Sequence, residues 1–151
     1  MSKLEKSIEI NAPVTEAFAF VVAEWEGDLS FWQGGVYDWE PRSAGPMGDG
    51  FEVSYLARIL GLGYRIEMTV RDFQANRGWT AVSRKGPETT GTWQFEPLDG
   101  STRFTYRLEY TMPLPLVGGL LDRLLVAPRW ARIIDRSLEH LKTLVERETG
   151  R

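Results

Sequence analysis

Three tyrosines, Tyr55, Tyr106 and Tyr110, are the residues whose type and spacing best suit chemistry inside a site. Tyr106 and Tyr110 stand four positions apart in the segment RFTYRLEY, and Tyr55 lies in EVSYLARI. Both segments have strand-like composition, and residues four apart on a strand share one face of the sheet. A buried phenol needs a hydrogen-bond partner, which a ligand or a water in a cavity can supply. We therefore predict that these hydroxyls are the polar contacts of an internal site.

Few other reactive groups are present. The 151-residue chain has no cysteine and a single histidine, His140, which excludes disulfides, thiolate metal sites, cysteine nucleophiles and multi-histidine zinc sites. On the predicted C-terminal helix, His140 lies roughly 100° round from Leu141 and beside Arg136 and Glu139. A solvated or rim position is therefore favoured over a role as general base. We expect no metal centre and no cofactor.

Four charged residues, Arg65, Asp72, Arg84 and Asp135, are weaker candidates. An arginine beside a cavity tyrosine would polarise a ketone or enolate oxygen. The alternative, solvated charges paired across the outer face of a sheet, is favoured. The glycine-rich loop GPMGDG at 45–50 lacks the pattern of a phosphate-binding loop, and we interpret it as a flexible rim of a pocket.

Composition and charge narrow the class of protein. Hydrophobic residues make up 42% of the chain, and the net charge is -3, so the protein has enough apolar residues for a core and no general attraction to nucleic acid. The N-terminal segment MSKLEK is too charged for a signal peptide, and no segment approaches the ~18 apolar residues of a membrane helix. We predict a cytoplasmic protein without stable membrane insertion.

The clearest structural element is the hairpin GTWQFEP-LDGS-TRFTYRLEY, with Asp99-Gly100 as its turn. Pairing through that turn places Trp93 opposite Tyr106 and Phe95 opposite Phe104. A one-residue slip would mix the apolar and polar faces, so the register is well specified.

A second hairpin joins GFEVSYLARIL to YRIEMTVRDF. If its turn is Leu62-Gly63, Tyr55 lies opposite Val70 and Arg58 pairs with Glu67, and this charge match favours the register. In the next strand, at 78–83, Trp79 points either inward or outward, and the sequence leaves this open.

The two ends of the chain predict one further strand and the helices. Residues 3–10 alternate as a half-buried strand, and two short helices are expected at 14–22 and 24–32. Near the C-terminus the spacing changes to that of one long amphipathic helix, which Pro128 kinks or divides. Its apolar face is formed by Trp130, Ile134, Leu138, Leu141 and Val145. The order predicts a single α+β domain over 1–151, with about seven antiparallel strands wrapped around the long helix.

Four stretches together resemble the START/SRPBCC superfamily, which has the helix-grip fold and includes bacterial polyketide cyclase/dehydrase-like proteins. They are SIEINAPVTEAFAFVV, FWQGGVYDWEPRSAGPMGDGFEV, TWQFEPLDGSTRFTYRLEY and RSLEHLKTLVERE. The resemblance implies a cavity between sheet and helix that binds lipids, sterols, polyketides, plant hormones or quinones. Only some members are enzymes, and no catalytic motif is common to all, so none is transferred to this chain.

Ten residues are predicted to line the ligand site, and the alternative for each aromatic residue among them is an ordinary core position. They are Tyr55, Met68, Trp93, Phe95, Phe104, Tyr106, Tyr110, Leu124, Trp130 and Ile134. The apolar segment PLPLVGGLLDRLL at 113–125 is interpreted as a mobile lid, as a membrane-touching or dimerising patch, or as an irregular start of the last helix.

These observations lead to three functional hypotheses. The first is a protein that binds a small hydrophobic, aromatic, polyketide-like or lipid-like ligand, with a polyketide cyclase/dehydrase as its catalytic version. The second is a non-catalytic carrier or sensor of a lipid or quinone, and the third is a protein-interaction adaptor that uses the leucine-rich segment. The sequence leaves open whether the protein is an enzyme and whether it is a monomer or a homodimer.

Overall fold

A computed structural model of the chain describes residues 2–114 and 117–150. Seven antiparallel strands form one curled sheet in the order β1-β7-β6-β5-β4-β3-β2. The strands are β1 (Ser2–Ile10), β2 (Val36–Pro41), β3 (Glu52–Ile59), β4 (Leu62–Gln74), β5 (Gly78–Lys85), β6 (Thr89–Pro97) and β7 (Thr102–Tyr110). The helices are α1 (Val14–Glu26), α2 (Gly118–Leu121) and α3 (Ala127–Glu148), with a π-helical turn at Asp122–Val126. The α+β helix-grip fold predicted from the sequence is confirmed.

The region after β1 differs from the sequence prediction. One longer helix, α1, takes the place of the two short helices, and the residues from 27 to 35 form turns and bends. The Glu24 side chain accepts hydrogen bonds from the Ser30 hydroxyl and from the backbone N–H of Phe31, at 2.9 and 2.8 Å. Leu29 has a positive φ of 53°, which helical residues do not adopt. The carboxylate therefore holds an irregular loop where we predicted a helix.

The hairpin β6–β7 has the predicted register, with Trp93 opposite Tyr106 and Phe95 opposite Phe104. The hairpin β3–β4 does not have the predicted register, because Tyr55 lies opposite Ile66 instead of Val70.

The β3–β4 turn is Leu60-Gly61, and φ is positive at both residues, as the tightest two-residue turns require. The predicted pair of Arg58 and Glu67 is wrong. The Arg58 guanidinium lies over the ring of Tyr37, 4.7 Å from its centroid. The register differs by an even number of residues, so the same side chains still face inward.

The C-terminal helix follows the predicted spacing. Its five predicted apolar positions, Trp130, Ile134, Leu138, Leu141 and Val145, are all buried. The helix is divided just before Pro128, where the N–H of Ala127 bonds to the carbonyl of Asp122, five residues back. Proline has no N–H with which to continue an α-helical pattern. None of the helices in the described ranges is long and apolar enough to cross a membrane.

The interior has a packed end and an open end. At the packed end α1 covers the sheet, and Phe18 stands 5.2 Å from Phe95 and 5.6 Å from Trp79 between ring centroids. Trp79 points inward and stacks on Trp93 at 5.8 Å and 14°, which decides the orientation that the sequence left open. At the other end, where β3 meets β4 and β7 leads to α2, the sheet and α3 enclose free space.

Candidate functional site

The free space is a cavity of about 70 Å³ between the concave face of the sheet and the first turns of α3. Strands β2 to β7 supply most of its wall, and α1, the loop after it, the π-helical turn and α3 supply the rest. The wall comprises Trp25, Leu29, Trp32, Val36, Trp39, Tyr55, Ala57, Ile59, Ile66, Met68, Ala81, Pro87, Thr89, Gly91, Trp93, Tyr106, Leu108, Tyr110, Thr111, Val126 and Trp130. No aspartate, glutamate, lysine, arginine or histidine lies on this wall among the residues that the structure describes.

Six of the ten residues predicted for the site line this cavity: Tyr55, Met68, Trp93, Tyr106, Tyr110 and Trp130. The even spacing within β7 brings Tyr106 and Tyr110 to the same face, and the neighbouring β6 places Trp93 against Tyr106 with 4.8 Å between ring centroids. Their contact with a ligand remains a prediction.

The other four predicted residues lie elsewhere. Phe95 and Phe104 pack against each other at 4.8 Å under α1, because these strands extend beyond the cavity into the packed end. Ile134 is one turn farther along α3 than Trp130 and is 2% exposed within the core.

Leu124 is 64% exposed and points away from the cavity. Val126, four residues before Trp130, lines the wall instead, because residues four apart share one face of a helix.

The prediction missed the wall contributed by α1, the loop after it and β2. Trp25, Trp32 and Trp39 all line the cavity. Trp39 stacks on Tyr55 at 5.4 Å, and Trp32 packs edge-on against Tyr106 at 5.2 Å. Five of the six tryptophans of the chain are on this wall. That abundance was the available signal, because Trp32 lies in a loop, where no strand or helix periodicity marks the inward side.

Two phenols in the cavity are poorly satisfied. Among residues 2–114 and 117–150, the Tyr55 hydroxyl has only the sulfur of Met68 as a partner, at 3.4 Å, and sulfur is a weak acceptor. The Tyr106 hydroxyl has no hydrogen-bond partner in the described parts of the chain. Burial raises the pKa of both phenols well above the ordinary range, and for Tyr106 the neighbouring Tyr55 adds to the increase in pKa. Both groups are therefore neutral at physiological pH and free to bond to a ligand.

The third phenol is held by a buried carboxylate. Tyr110 donates a hydrogen bond to Asp122 Oδ1, and the Ser2 hydroxyl donates to Oδ2. Asp122 is 4% exposed and begins the π-helical turn. Burial, and then the adjacent carboxylate, raise the pKa of Tyr110. This pair ties the π-helical turn to the ends of β1 and β7 at the cavity opening.

The wall also carries indole N–H groups and the hydroxyls of Thr89 and Thr111. The Nε1 atoms of Trp25 and Trp32 are buried and have no acceptor in residues 2–114 and 117–150, whereas Nε1 of Trp39 donates to the carbonyl of Trp25 at 3.0 Å. The wall is thus largely apolar.

The charged candidates lie outside the cavity. Asp135 pairs with Lys6 at 3.0 Å, and Arg84 pairs with Glu52 on the outer face. Arg65 donates to Ser54 at 3.2 Å.

The histidine and the glycine-rich loop have structural roles in this arrangement. His140 Nδ1 lies 2.8 Å from Gln33 Nε2 and 3.1 Å from the Phe31 carbonyl, behind the loop after α1. The loop at 45–50 is not a pocket rim; the backbone N–H of Met47 bonds to Glu26 at 2.7 Å, at the packed end. Within the described ranges no three histidine, aspartate or glutamate side chains converge as a metal site would need.

Comparison with known proteins places this geometry in a family. A family model described as "Polyketide cyclase / dehydrase and lipid transport" matches residues 1–146. The chain belongs to this family. The resemblance to START/SRPBCC proteins noted in the sequence is thereby confirmed. No curated protein sequence matches this member of the polyketide cyclase / dehydrase and lipid transport family.

Solved structures with low sequence identity to this chain share its fold. TTHA0849 from Thermus thermophilus is 22% identical, with a TM-score of 0.74 over 95% of this chain and 97% of that one. The KanY protein is 16% identical, with a TM-score of 0.76 over 97% and 99%. A START superfamily protein from Mycobacterium smegmatis is 16% identical, with a TM-score of 0.62 over 97% and 95%. At these identities the similarity shows the fold alone.

Proposed function

We propose that this protein binds one small apolar ligand with an aromatic or polyketide-like part in the cavity between sheet and α3, as a carrier or sensor. The observation that carries the proposal is a wall of aromatic and aliphatic side chains that has no charged group and includes two phenols with free hydrogen-bonding capacity. The lipid transport named in the family description is consistent with it. The binding unit is the whole chain, because nearly every strand and both longer helices contribute to the wall.

Small residues where the space lies support the proposal. Gly91 and Ala81 face each other on β6 and β5 and both line the cavity. The backbone of Gly91 is not left-handed, so its conformation does not require glycine. A methyl group there would sit 3.5 Å from Trp93 Nε1 and 3.6 Å from the Tyr106 hydroxyl. A side chain would therefore fit, and its absence leaves the space open.

The size of the cavity sets a condition on the ligand. Its volume of about 70 Å³ is below the ~300 Å³ typical of pockets for drug-sized molecules. A larger ligand needs the wall to move. The loop that carries Leu29 and Trp32 and the π-helical turn are held by a few side-chain hydrogen bonds. They can move at lower cost than the strands, which are fixed by their hydrogen-bonded neighbours.

The experiment is a titration of the intrinsic tryptophan fluorescence with 1-anilinonaphthalene-8-sulfonate, a dye with apolar aromatic rings and one sulfonate group. Gly91→Ala should weaken dye binding by roughly tenfold, because the added methyl overpacks a filled cavity. Gly48→Ala is the matched control, since a methyl at Gly48 meets no atom within 4 Å and should leave the affinity unchanged. Equal affinities of the two variants, or no binding by the parent protein, would overturn the proposal.

A second candidate, a cyclase or dehydrase, is favoured by the pair of Tyr110 and Asp122. Phenols with raised pKa values are proton-bearing donors that can stabilise an enolate oxygen, and aromatic walls can orient a reactive chain. A catalyst should accelerate exchange of the α-protons of a small 1,3-diketone for deuterium, as followed by NMR. Tyr110→Phe, which removes the phenol of that pair, should remove the acceleration. If the protein binds the dye but the diketone protons exchange at their rate in plain solution, the catalytic candidate is excluded and the carrier or sensor remains.

A further inference from the structure

Exposed apolar side chains are concentrated at the open end of the molecule. We define the mouth patch as Leu60, Leu62, Val117, Leu120, Leu124 and Leu125, which are 40% to 64% exposed. Two of them lie at the β3–β4 turn, and four lie on α2 and its surroundings. These six are most of the large apolar residues that are exposed in the described part of the chain. Such a patch marks an interaction surface.

The patch surrounds the cavity opening. The Asp122 carboxylate bonds to Ser2 and Tyr110 at the β1–β7 edge. A side chain at Gly35, just before β2, would collide with the Trp130 ring at 2.9 Å. The helical segment at 118–130 therefore runs from one side of the curled sheet to the other, and Val126 and Trp130 face the cavity while Leu124 and Leu125 face outward.

Basic side chains flank the mouth patch. Arg123 and Arg129 lie on the helical segment, and Arg58 and Lys85 lie at strand ends beside the turns. All four are exposed, and none has an ion-pair partner within the described ranges. The acidic side chains at these strand ends are Glu88 and Glu109, and Glu109 lies opposite Lys3 in the β1–β7 register.

This arrangement contrasts with the net charge of -3 for the whole chain. Leucines bordered by arginines are the composition of a surface that lies in the interface of an anionic bilayer.

We propose that the mouth patch docks on the surface of an anionic lipid bilayer and opens the cavity directly towards the acyl region. The inference rests on the proposed function, because it supplies the route by which an apolar ligand reaches the cavity without crossing water. The leucines enter the headgroup boundary, and the arginines bind lipid phosphates. A second copy of the chain fits the patch less well, because a symmetric contact would bring the arginines of both copies into one interface.

The experiment is co-sedimentation of the full chain with phosphatidylcholine vesicles that do or do not contain phosphatidylglycerol. The parent protein should bind the anionic vesicles selectively, and added salt should weaken binding. Leu120→Ser combined with Leu124→Ser should reduce binding at least about tenfold. Arg123→Gln with Arg129→Gln should reduce it by about fivefold for each arginine. Arg147→Gln, at the far end of α3, is the matched control and should bind like the parent.

The outcomes separate this inference from the proposed function. Dye affinity in solution should be the same for the leucine variant as for the parent, because neither leucine lines the cavity. Normal dye binding without vesicle binding would overturn the docking proposal alone. A dimer that dissociates in the leucine variant, with no vesicle binding, would assign the patch to a second copy. Vesicle binding with no dye binding would overturn the proposed function and, with it, the ligand route.

Discussion

At the scale of single residues, the Tyr106 hydroxyl is the most informative atom in the cavity. It is buried beside Trp32 and Trp93, and the described chain offers it no acceptor or donor. Because this hydroxyl makes no hydrogen bond to the described protein, we expect it to bond to a ligand or to a water molecule.

We therefore expect Tyr106→Phe to leave the fold intact and to weaken binding of 2-naphthol by about fivefold, the value of one ordinary hydrogen bond. Binding of naphthalene, which has no polar atom, should not change. Fluorescence titration of both compounds measures this, with Tyr64→Phe on the half-buried part of β4 as control. A loss of affinity for naphthalene as well would indicate altered packing instead of a lost hydrogen bond.

Asp122 is a second single residue with a large effect, because its carboxylate joins the π-helical turn to β1 and β7. Asp122→Asn should lower the free energy of unfolding by about 1–3 kcal/mol. The carboxylate accepts hydrogen bonds from two hydroxyls, whereas the amide has one oxygen and turns an N–H group towards the other hydroxyl. Urea unfolding gives the value. In a double-mutant cycle with Tyr110→Phe the losses should be smaller than additive. Strict additivity would show that the carboxylate and the phenol do not interact.

At the scale of elements, α3 is fastened to β1 at its far end. The Glu146 carboxylate accepts hydrogen bonds from Lys142 at 2.5 Å and from the backbone N–H of Asn11 at 2.7 Å. The bond from Lys142 and then the one from Asn11 lower the pKa of Glu146 against the opposing effect of burial. The folded state thus favours the charged carboxylate.

The pH dependence of this contact has a defined sign. Because the folded pKa of Glu146 is below the unfolded value, its stabilisation is present above the unfolded pKa, near 4.3, and is lost as pH falls through the folded pKa. Glu146→Gln should therefore cost roughly 0.5–1 kcal/mol at neutral pH, and the difference should vanish in acid. Denaturant unfolding across pH, with the exposed Glu139→Gln as control, tests this. A pH-independent difference would assign the effect to shape and not to charge.

At the scale of the whole molecule, three buried phenols share one cavity, which predicts sensitivity to alkali. Burial raises the pKa values of Tyr55, Tyr106 and Tyr110 above the unfolded value near 10. Above that pH the unfolded chain loses protons that the folded chain retains, so the free energy of unfolding should fall steeply. Ultraviolet absorbance should show these phenols ionising together with unfolding. Ionisation of all tyrosines in a chain that is still folded would contradict their burial.

Parts of the molecule whose contacts are close in sequence were predictable. The turn at Asp99-Gly100 fixed the pairing of Trp93 with Tyr106 because few residues separate them. The β3–β4 register was missed because two glycines allow more than one turn, and an apparent match between Arg58 and Glu67 favoured the wrong one. Leu124 was misplaced because it lies six residues before Trp130, roughly 120° round the helix from it, so the two side chains do not share a face.

The sequence by itself determined the order of strands and helices and the inward face of each, because alternation and helical spacing are properties of the local chain. Only the tertiary structure decided that Phe95 and Phe104 lie in the packed end while Tyr106 and Tyr110 reach a cavity. Only it brought Trp25, Trp32 and Trp39 from distant positions to the same wall. The physical reason is that the direction in which a side chain points is set by the local backbone dihedral angles. Free volume depends instead on which surfaces meet across the sheet and on where α1 stops covering it.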